Sequence, residues 1–179
     1  MALAQRRPAA DAREWSAFVE PALAAAAAGT EIPLVTRCAS GEVVGSTRFL
    51  ALRPEHGSVE IGWTWLHPSA WSTGANVEAK LLQLRHAFEV WGCRRVELED
   101  RRARTSARAA PSSALGATFE GVHRKHMLVR EGENRDSAWY SVIGRRLARG
   151  SRAPRSAACR AGSARGTLRL PGIPKRNWS

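Results

Sequence analysis

The sequence predicts an α+β fold: a mixed, mostly antiparallel sheet flanked by helices. Three observations predict it. Short segments rich in Val, Ile, Leu and Trp alternate with polar residues, the period of a half-buried strand. The connections "CASGE" and "RPEHG" are short turns that return a strand beside its neighbour, so the strands they join are antiparallel. One segment, Leu81, Leu84, Phe88 and Trp91, instead recurs at spacings of 3, 4 and 3, the stripe of a core-facing helix.

Each element follows in order. Glu14–Ala28 reads as a helix with a partial apolar face of Trp15, Phe18, Val19 and Leu23; Pro21 weakens it and Gly29 closes it. Ile32–Arg37 and Val43–Leu52 read as a hairpin. Ser58–Leu66 alternates Val59, Ile61, Trp63 and Trp65 against Glu60, Gly62, Thr64 and Leu66. The loop "HPSAWSTGAN" leads into a helix capped by Asn76, with Glu78 in its first turn, and Gly92 ends that helix. "RRVELE" reads as a buried strand. "FEGVHRKHMLVR", "EGEN" and "RDSAWYSVI" read as a second hairpin. The HxxH pair His123 and His126 is expected on opposite faces of its strand, which argues against a metal site.

Composition narrows the function. No run approaches the ~20 apolar residues of a membrane span, and "MALAQRRPAADAREW" lacks the apolar core of a secretory signal. Cys38, Cys93 and Cys159 have no close spacing, so no CxxC metal or redox site is expected, and reduced thiols fit a cytoplasmic protein. The net charge of +12 suggests nucleic acid, but its location decides otherwise. Gly144–Ser179 carries +10 and Glu99–Ala114 carries +2, so the remaining residues are neutral. The tail also lacks the interleaved aromatics of a single-strand binder. It reads as a disordered, Arg/Ala/Ser/Gly/Pro-rich segment behind a domain spanning residues 13–143.

The chemistry is expected where strand Ser58–Leu66 passes through "HPSAWSTGAN" into the next helix. A glycine turn at a helix start points free backbone N–H groups at one spot, and the helix dipole adds to them. The result is a cradle for phosphate or pyrophosphate. Taken alone, "TGAN" equally suits a plain connection.

The blocks "VGSTRFL", "VEIGWTWLHPSAWSTGANVEAKLLQLRHAFE", "GCRRVEL", "LGATFEGVHRKHMLVR" and "RDSAWYSVI" resemble, in matching order, the GNAT superfamily of acetyl-CoA-dependent N-acetyltransferases, with the RimJ/RimL type as the nearest subgroup. The resemblance implies a GNAT-like sheet lacking the family's first strand and helix. It implies acetyl-CoA as co-substrate, no metal, and a primary amine as acceptor: an N-terminal peptide, a small amine, an aminoglycoside or an amino acid. It puts the coenzyme's pyrophosphate on the backbone amides of Ser72, Thr73, Gly74, Ala75, Asn76 and Val77; Ser72 replaces a residue that is usually basic. It puts the pantetheine arm along Trp63, Thr64, Trp65 and Leu66, where a backbone amide can polarise the thioester carbonyl. Glu60 then stands where many members keep a base, and Glu97 is a weaker alternative. Without the resemblance, Glu60 reads as a solvent-facing strand residue. Tyr140, the only tyrosine, could return a proton to the leaving thiolate, or be a strand aromatic.

One stretch departs from the pattern. The family follows "RRVELE" with a helix reading roughly Asn-Glu-Arg-Ser-Arg, whereas this chain has "DRRARTSARAAPSSA". GC-rich codons for that motif, read one base late, give Thr-Ser-Ala-Arg, which is Thr105–Arg108; Arg145–Arg149 follows similarly from Asp-Asp-Trp-Pro-Ala read one base early. Both basic segments therefore read as out-of-frame translations. Resequencing the coding DNA tests this; an intact reading encoding the same residues in close relatives overturns it. An impaired remnant that holds the coenzyme weakly is the corresponding alternative, and a nucleic-acid binder using the tail is a third.

Overall fold

A computed structural model describes residues 12–100, 115–128 and 132–144. Most of the two basic segments, at 101–114 and 145–179, lies outside the described residues, as do Cys159 and everything before residue 12. Helix α1 (Ala12–Ala27) leads through Gly29 into strand β1 (Ile32–Arg37), followed by β2 (Val43–Arg53) and β3 (Ser58–Leu66). Helix α2 (Ala75–Arg85) continues into a π-helical turn, His86–Val90. Strand β4 (Arg95–Asp100) and the hairpin β5 (Thr118–Leu128) and β6 (Asn134–Ile143) complete the sheet.

The six strands lie in the order β1-β2-β3-β4-β6-β5. All pairs are antiparallel except β3–β4, the one pair bridged by a helix, as a parallel crossover requires. The sheet is therefore mixed and mostly antiparallel, as the alternation and short turns predict.

Neighbouring residues show which helix covers which face. On β2, Thr47 meets Gln83 of α2, whereas the next residue, Arg48, lies against Phe18 of α1. On β3, Thr64 accepts from Lys80 of α2, whereas Trp65 packs edge-on against Trp15 of α1. Alternation puts such neighbours on opposite faces, so α1 and α2 flank the sheet from two sides. The apolar core lies on the α2 side. Phe49, Val59, Ile61, Val96, Leu98, Tyr140 and Val142 meet Leu84, Ala87 and Trp91 there, with Leu81 and Phe88 packed at the margin. The helical stripe read from the sequence is thus the core stripe.

Three details differ from the simple periods. The stripe spans a change of helix type: Trp91 N–H bonds back to His86 O at 3.2 Å, and this wider turn brings Trp91 against Phe49 and His86. On α1, Trp15 and Phe18 find partners, but Val19 and Leu23 stay exposed. His123 and His126 do not lie on opposite faces. Their rings are 5.4 Å apart and both touch Trp139. The β5–β6 register shifts between His123 and Met127, and Lys125 has φ +51°, so an irregularity in the strand resets the alternation. Among the described residues, no group of three or more metal-ligating side chains forms around them.

Candidate functional site

The site forms where β3 and β4 part. Four rungs join them, Ser58–Arg95, Val59–Val96, Glu60–Glu97 and Ile61–Leu98. Beyond Ile61, residues 62–66 of β3 have no partner on β4, while Glu99 and Asp100 pair only with β6. A bulge coincides with the parting. Ser46 pairs with Trp65 but Arg48 with Gly62, so Trp63 and Thr64 oppose Thr47 alone, and Trp63 adopts φ +50°. A bulge bends its strand and ends pairing. The result is a fork with backbone along one wall. The strict alternation read for β3 therefore holds only to Gly62. Gly45 is obligatory on β2 beside the bulge, because a Cβ there would collide with Trp65 O.

Beyond the fork, β3 enters a turn, Pro68–Ala70, and then the loop to α2. Trp71 Nε1 donates to Leu66 O at 2.9 Å, and Thr73 Oγ1 donates to Ala70 O at 2.7 Å. Ser72 and Gly74 take left-handed φ of 57° and 87°. The glycine makes this cheap at Gly74, which sits at the N-cap. Ala75 N–H donates to Thr73 Oγ1 at 3.3 Å. The amides of Gly74, Asn76 and Val77 have no acceptor among the described residues, and Asn76 Oδ1 is buried without a donor. Free amides at a helix start suit an anionic oxygen. The cradle expected at Ser72–Val77 thus has its open donors, and the Trp63–Leu66 segment runs along the unpaired wall leading to it.

Glu60 and Glu97 face each other across the third rung. Arg53 Nη1 bonds Glu97 Oε2 at 3.1 Å, and Arg95 Nε bonds Glu97 Oε1 at 3.0 Å. Arg95 also pairs with Glu120, whose carboxyl falls to about 2 chiefly through that hydrogen bond. Glu60 makes no hydrogen bond or ion pair among the described residues, and it is only 7% exposed. Burial first, then the neighbouring Glu97 charge, raise its pKa to about 7, against opposing pulls from Arg53 and Lys80. It is not the solvent-facing glutamate that alternation alone permits.

Sequence reasoning missed Lys80. It lies on α2, 8% exposed, and its Nζ donates to Thr64 Oγ1 at 2.5 Å. Burial lowers its pKa to about 7, with Glu60 pulling the other way. Thr64 Oγ1 shares a further hydrogen bond with Thr47 Oγ1 at 3.0 Å, and Thr47 Oγ1 reaches Gln83 Oε1 at 3.3 Å. The available signal was positional: Lys80 lies three residues after Val77 and four before Leu84, on the stripe where an apolar residue is expected.

Tyr140 is placed in the core. It is 1% exposed, its ring meets Phe119 edge-on at 5.4 Å, and it continues the last closed rung of the fork, Ile61–Leu98–Tyr140. Its hydroxyl is buried with no partner among the described residues, and burial raises its pKa. Cys38 and Cys93 form no disulfide among the described residues, and burial pushes Cys93 up to about 12. No helix among the described residues is long and apolar enough to cross a membrane.

Comparisons with known proteins bear on the family and the fold. Residues 2–113 match a family model described as "Acetyltransferase (GNAT) domain". A probable GNAT-family acetyltransferase from Chromobacterium violaceum ATCC 12472 is similar at 30% identity, over 79% of this chain and 73% of that one, with TM-score 0.65. A putative acetyltransferase from T. thermophilus is 39% identical over 58% of this chain, with TM-score 0.52. The chain spans only 54% of that protein's length. Mycobacterium smegmatis RimJ, solved in complex with CoA-disulfide, is 26% identical over 80% of this chain and 65% of its own, with TM-score 0.61. A search of curated protein sequences finds no match.

Proposed function

The chain belongs to the acetyltransferase (GNAT) family, and from that premise we propose that it moves the acetyl group of acetyl-CoA to a primary amine by direct attack, with Glu60 as the base. The subgroup we infer is RimJ/RimL-like, and the acceptor a peptide N-terminus or a small amine. The observation that carries the reading is the fork: an unpaired strand wall, a free-amide cradle at its end, and beside its apex a buried carboxylate titrating near neutrality.

Acetyl-CoA supplies an activated thioester. The residues of this chain bind and orient it. The free amides of Gly74, Asn76 and Val77, with their neighbours from Ser72, hold the pyrophosphate. The Trp63–Leu66 wall aligns the pantetheine arm, and a backbone amide there stabilises the oxyanion. Glu60, ionised, takes a proton from the acceptor ammonium before attack, or from the attacking amine as the N–C bond forms and the C–S bond breaks. Glu97 is instead held by two arginines. Tyr140 is the proposed donor to the thiolate. No metal enters this scheme, and nucleic acid has no part in it.

The test pairs binding with turnover. Acetyl-CoA at about a hundred times its Kd should stabilise the protein by about 2.7 kcal/mol in a thermal melt. CoA thiol should appear with a short peptide bearing a free α-amine. Stabilisation without turnover, or neither, would favour the impaired remnant, which the departure at 101–114 motivates.

A further inference from the structure

The proposed reaction uses Glu60 and the fork but leaves Lys80 unexplained. A lysine is rarely buried, and burying an ammonium without compensation costs several kcal/mol. Its position here is specific. Lys80 reaches from α2 to Thr64, the residue following the left-handed Trp63 in the bulge. Thr64 is tied in turn to Thr47, and Thr47 to Gln83 Oε1 and, at 3.3 Å, to Gly62 O. Side chains from α2, β2 and β3 thus close a polar cluster around the bulge that parts β3 from β4.

We propose that Lys80 is a positioning residue for acetyl transfer: its hydrogen bond to Thr64 fixes the β3 bulge and so the coenzyme wall. The inference rests on the acetyltransferase reading. Without Lys80 the bulge would keep the Thr47 bonds and the Arg48 guanidinium over Trp63 but lose its tie to α2, with a tryptophan at positive φ resisting it. Glu60 lies four residues before Thr64 on the same strand. The groups acting on Glu60 are Glu97 of β4, Arg53 of β2, Glu31 ahead of β1, Arg135 of β6 and Lys80 of α2. Among these, Arg53 pulls Glu60 most strongly toward its ionised form, and Lys80 adds a smaller pull in the same direction.

Three variants test this: Lys80→Met, Lys80→Arg and Thr64→Val. Each is checked for folding by its thermal melt, then assayed with acetyl-CoA and a free-α-amine peptide across pH. Lys80→Met should move the acid limb of kcat/KM upward by about half a pH unit or more and raise KM for acetyl-CoA at least about fivefold. Lys80→Arg should restore the limb. Thr64→Val should raise KM for acetyl-CoA while the limb stays within about 0.2 units. The Glu60 carboxyl midpoint, followed by carbon NMR, should rise in Lys80→Met relative to the native chain, and this readout does not depend on turnover. A Lys80→Met enzyme with native KM for acetyl-CoA overturns the role of Lys80 while leaving acetyl transfer intact. A native chain that neither binds acetyl-CoA nor turns over overturns both readings.

Discussion

Glu60 and Glu97 stand opposite each other on β3 and β4, yet only Glu97 is gripped by arginines. Two facing carboxylates in a partly dry site cannot both ionise cheaply. The arginines bind Glu97 alone, and burial first, then the Glu97 charge, raise Glu60 to about 7. The asymmetry creates one carboxylate able to exchange a proton near neutral pH. If Glu60 is the base, kcat/KM should rise through an acid limb near pH 7, the value to which its carboxyl is raised. Glu60→Gln should lower kcat/KM by roughly 10²–10⁴-fold with little change in acetyl-CoA binding. Glu97→Gln should instead lower the Glu60 midpoint and shift the limb to lower pH. A Glu60→Gln enzyme of native rate across pH would remove Glu60 from the mechanism.

The Glu60–Lys80 relationship also makes stability depend on pH in an unusual direction. Glu60 has a folded pKa raised from 4.5 to about 7, so its contribution is present below 4.5 and is lost as pH rises through 7. Lys80 has a folded pKa lowered from 10.5 to about 7, so its contribution is present above 10.5 and is lost as pH falls through 7. Together they favour stability on either side of neutrality, with a minimum near pH 7. Each shift corresponds at most to about 3–5 kcal/mol, and mutual attraction of the charged forms reduces the dip. Urea unfolding at about pH 5.5, 7 and 8.5 should show it. Lys80→Met should remove the gain above neutrality, and Glu60→Gln the gain below. A stability maximum near neutral pH that both variants retain would contradict the assignment.

Much of this was legible in the sequence, and the misses share a cause. The strand ends Ile32, Arg37, Ser58 and Leu66 follow from alternation and turn residues, and the core stripe of α2 from its spacing. Periodicity could not reveal the places where the backbone breaks period. The bulge at Trp63, the irregularity near Lys125 and the π turn at His86–Val90 each disturb the regular count of residues, and the residues that break it are themselves neither glycine nor proline. The charge state of Glu60 was hidden for another reason. It depends on Arg53 and Arg95 engaging Glu97 instead, a choice made by tertiary packing. The turn before α2 was legible because Gly74 takes the left-handed conformation that precedes the helix.

Glu99 should prove a stability residue. It pairs with Arg135, which is only 7% exposed, and Ser137 joins the two: its hydroxyl donates to Glu99, and Arg135 Nη2 donates to it at 3.0 Å. Removing one partner of such a pair strands the other as an uncompensated buried charge, worth about 3–5 kcal/mol when burial is complete. Glu99 keeps partial exposure, so Glu99→Ala should cost about 2–3 kcal/mol in chemical denaturation. Glu99→Ala together with Arg135→Met should recover part of that loss. If the double variant is no more stable than Glu99→Ala, the cost does not come from a stranded guanidinium.

Tyr140 separates its two roles by opposite signs. Its hydroxyl is buried with no partner among the described residues, and such a group costs stability rather than adding to it. As a core aromatic, Tyr140 needs only its ring, which packs against Phe119 beside the last closed rung of the fork. Tyr140→Phe keeps the ring and removes the stranded oxygen, so the melting temperature should hold or rise, by up to about 1 kcal/mol of stability. If the hydroxyl also protonates the departing thiolate, the same variant should lose at least about tenfold in kcat, with KM for acetyl-CoA little changed and the alkaline limb of kcat altered. Stability up and turnover down is a combination that packing alone does not produce. Stability up with native kcat would assign Tyr140 to the core and leave the thiolate to find its proton in solvent.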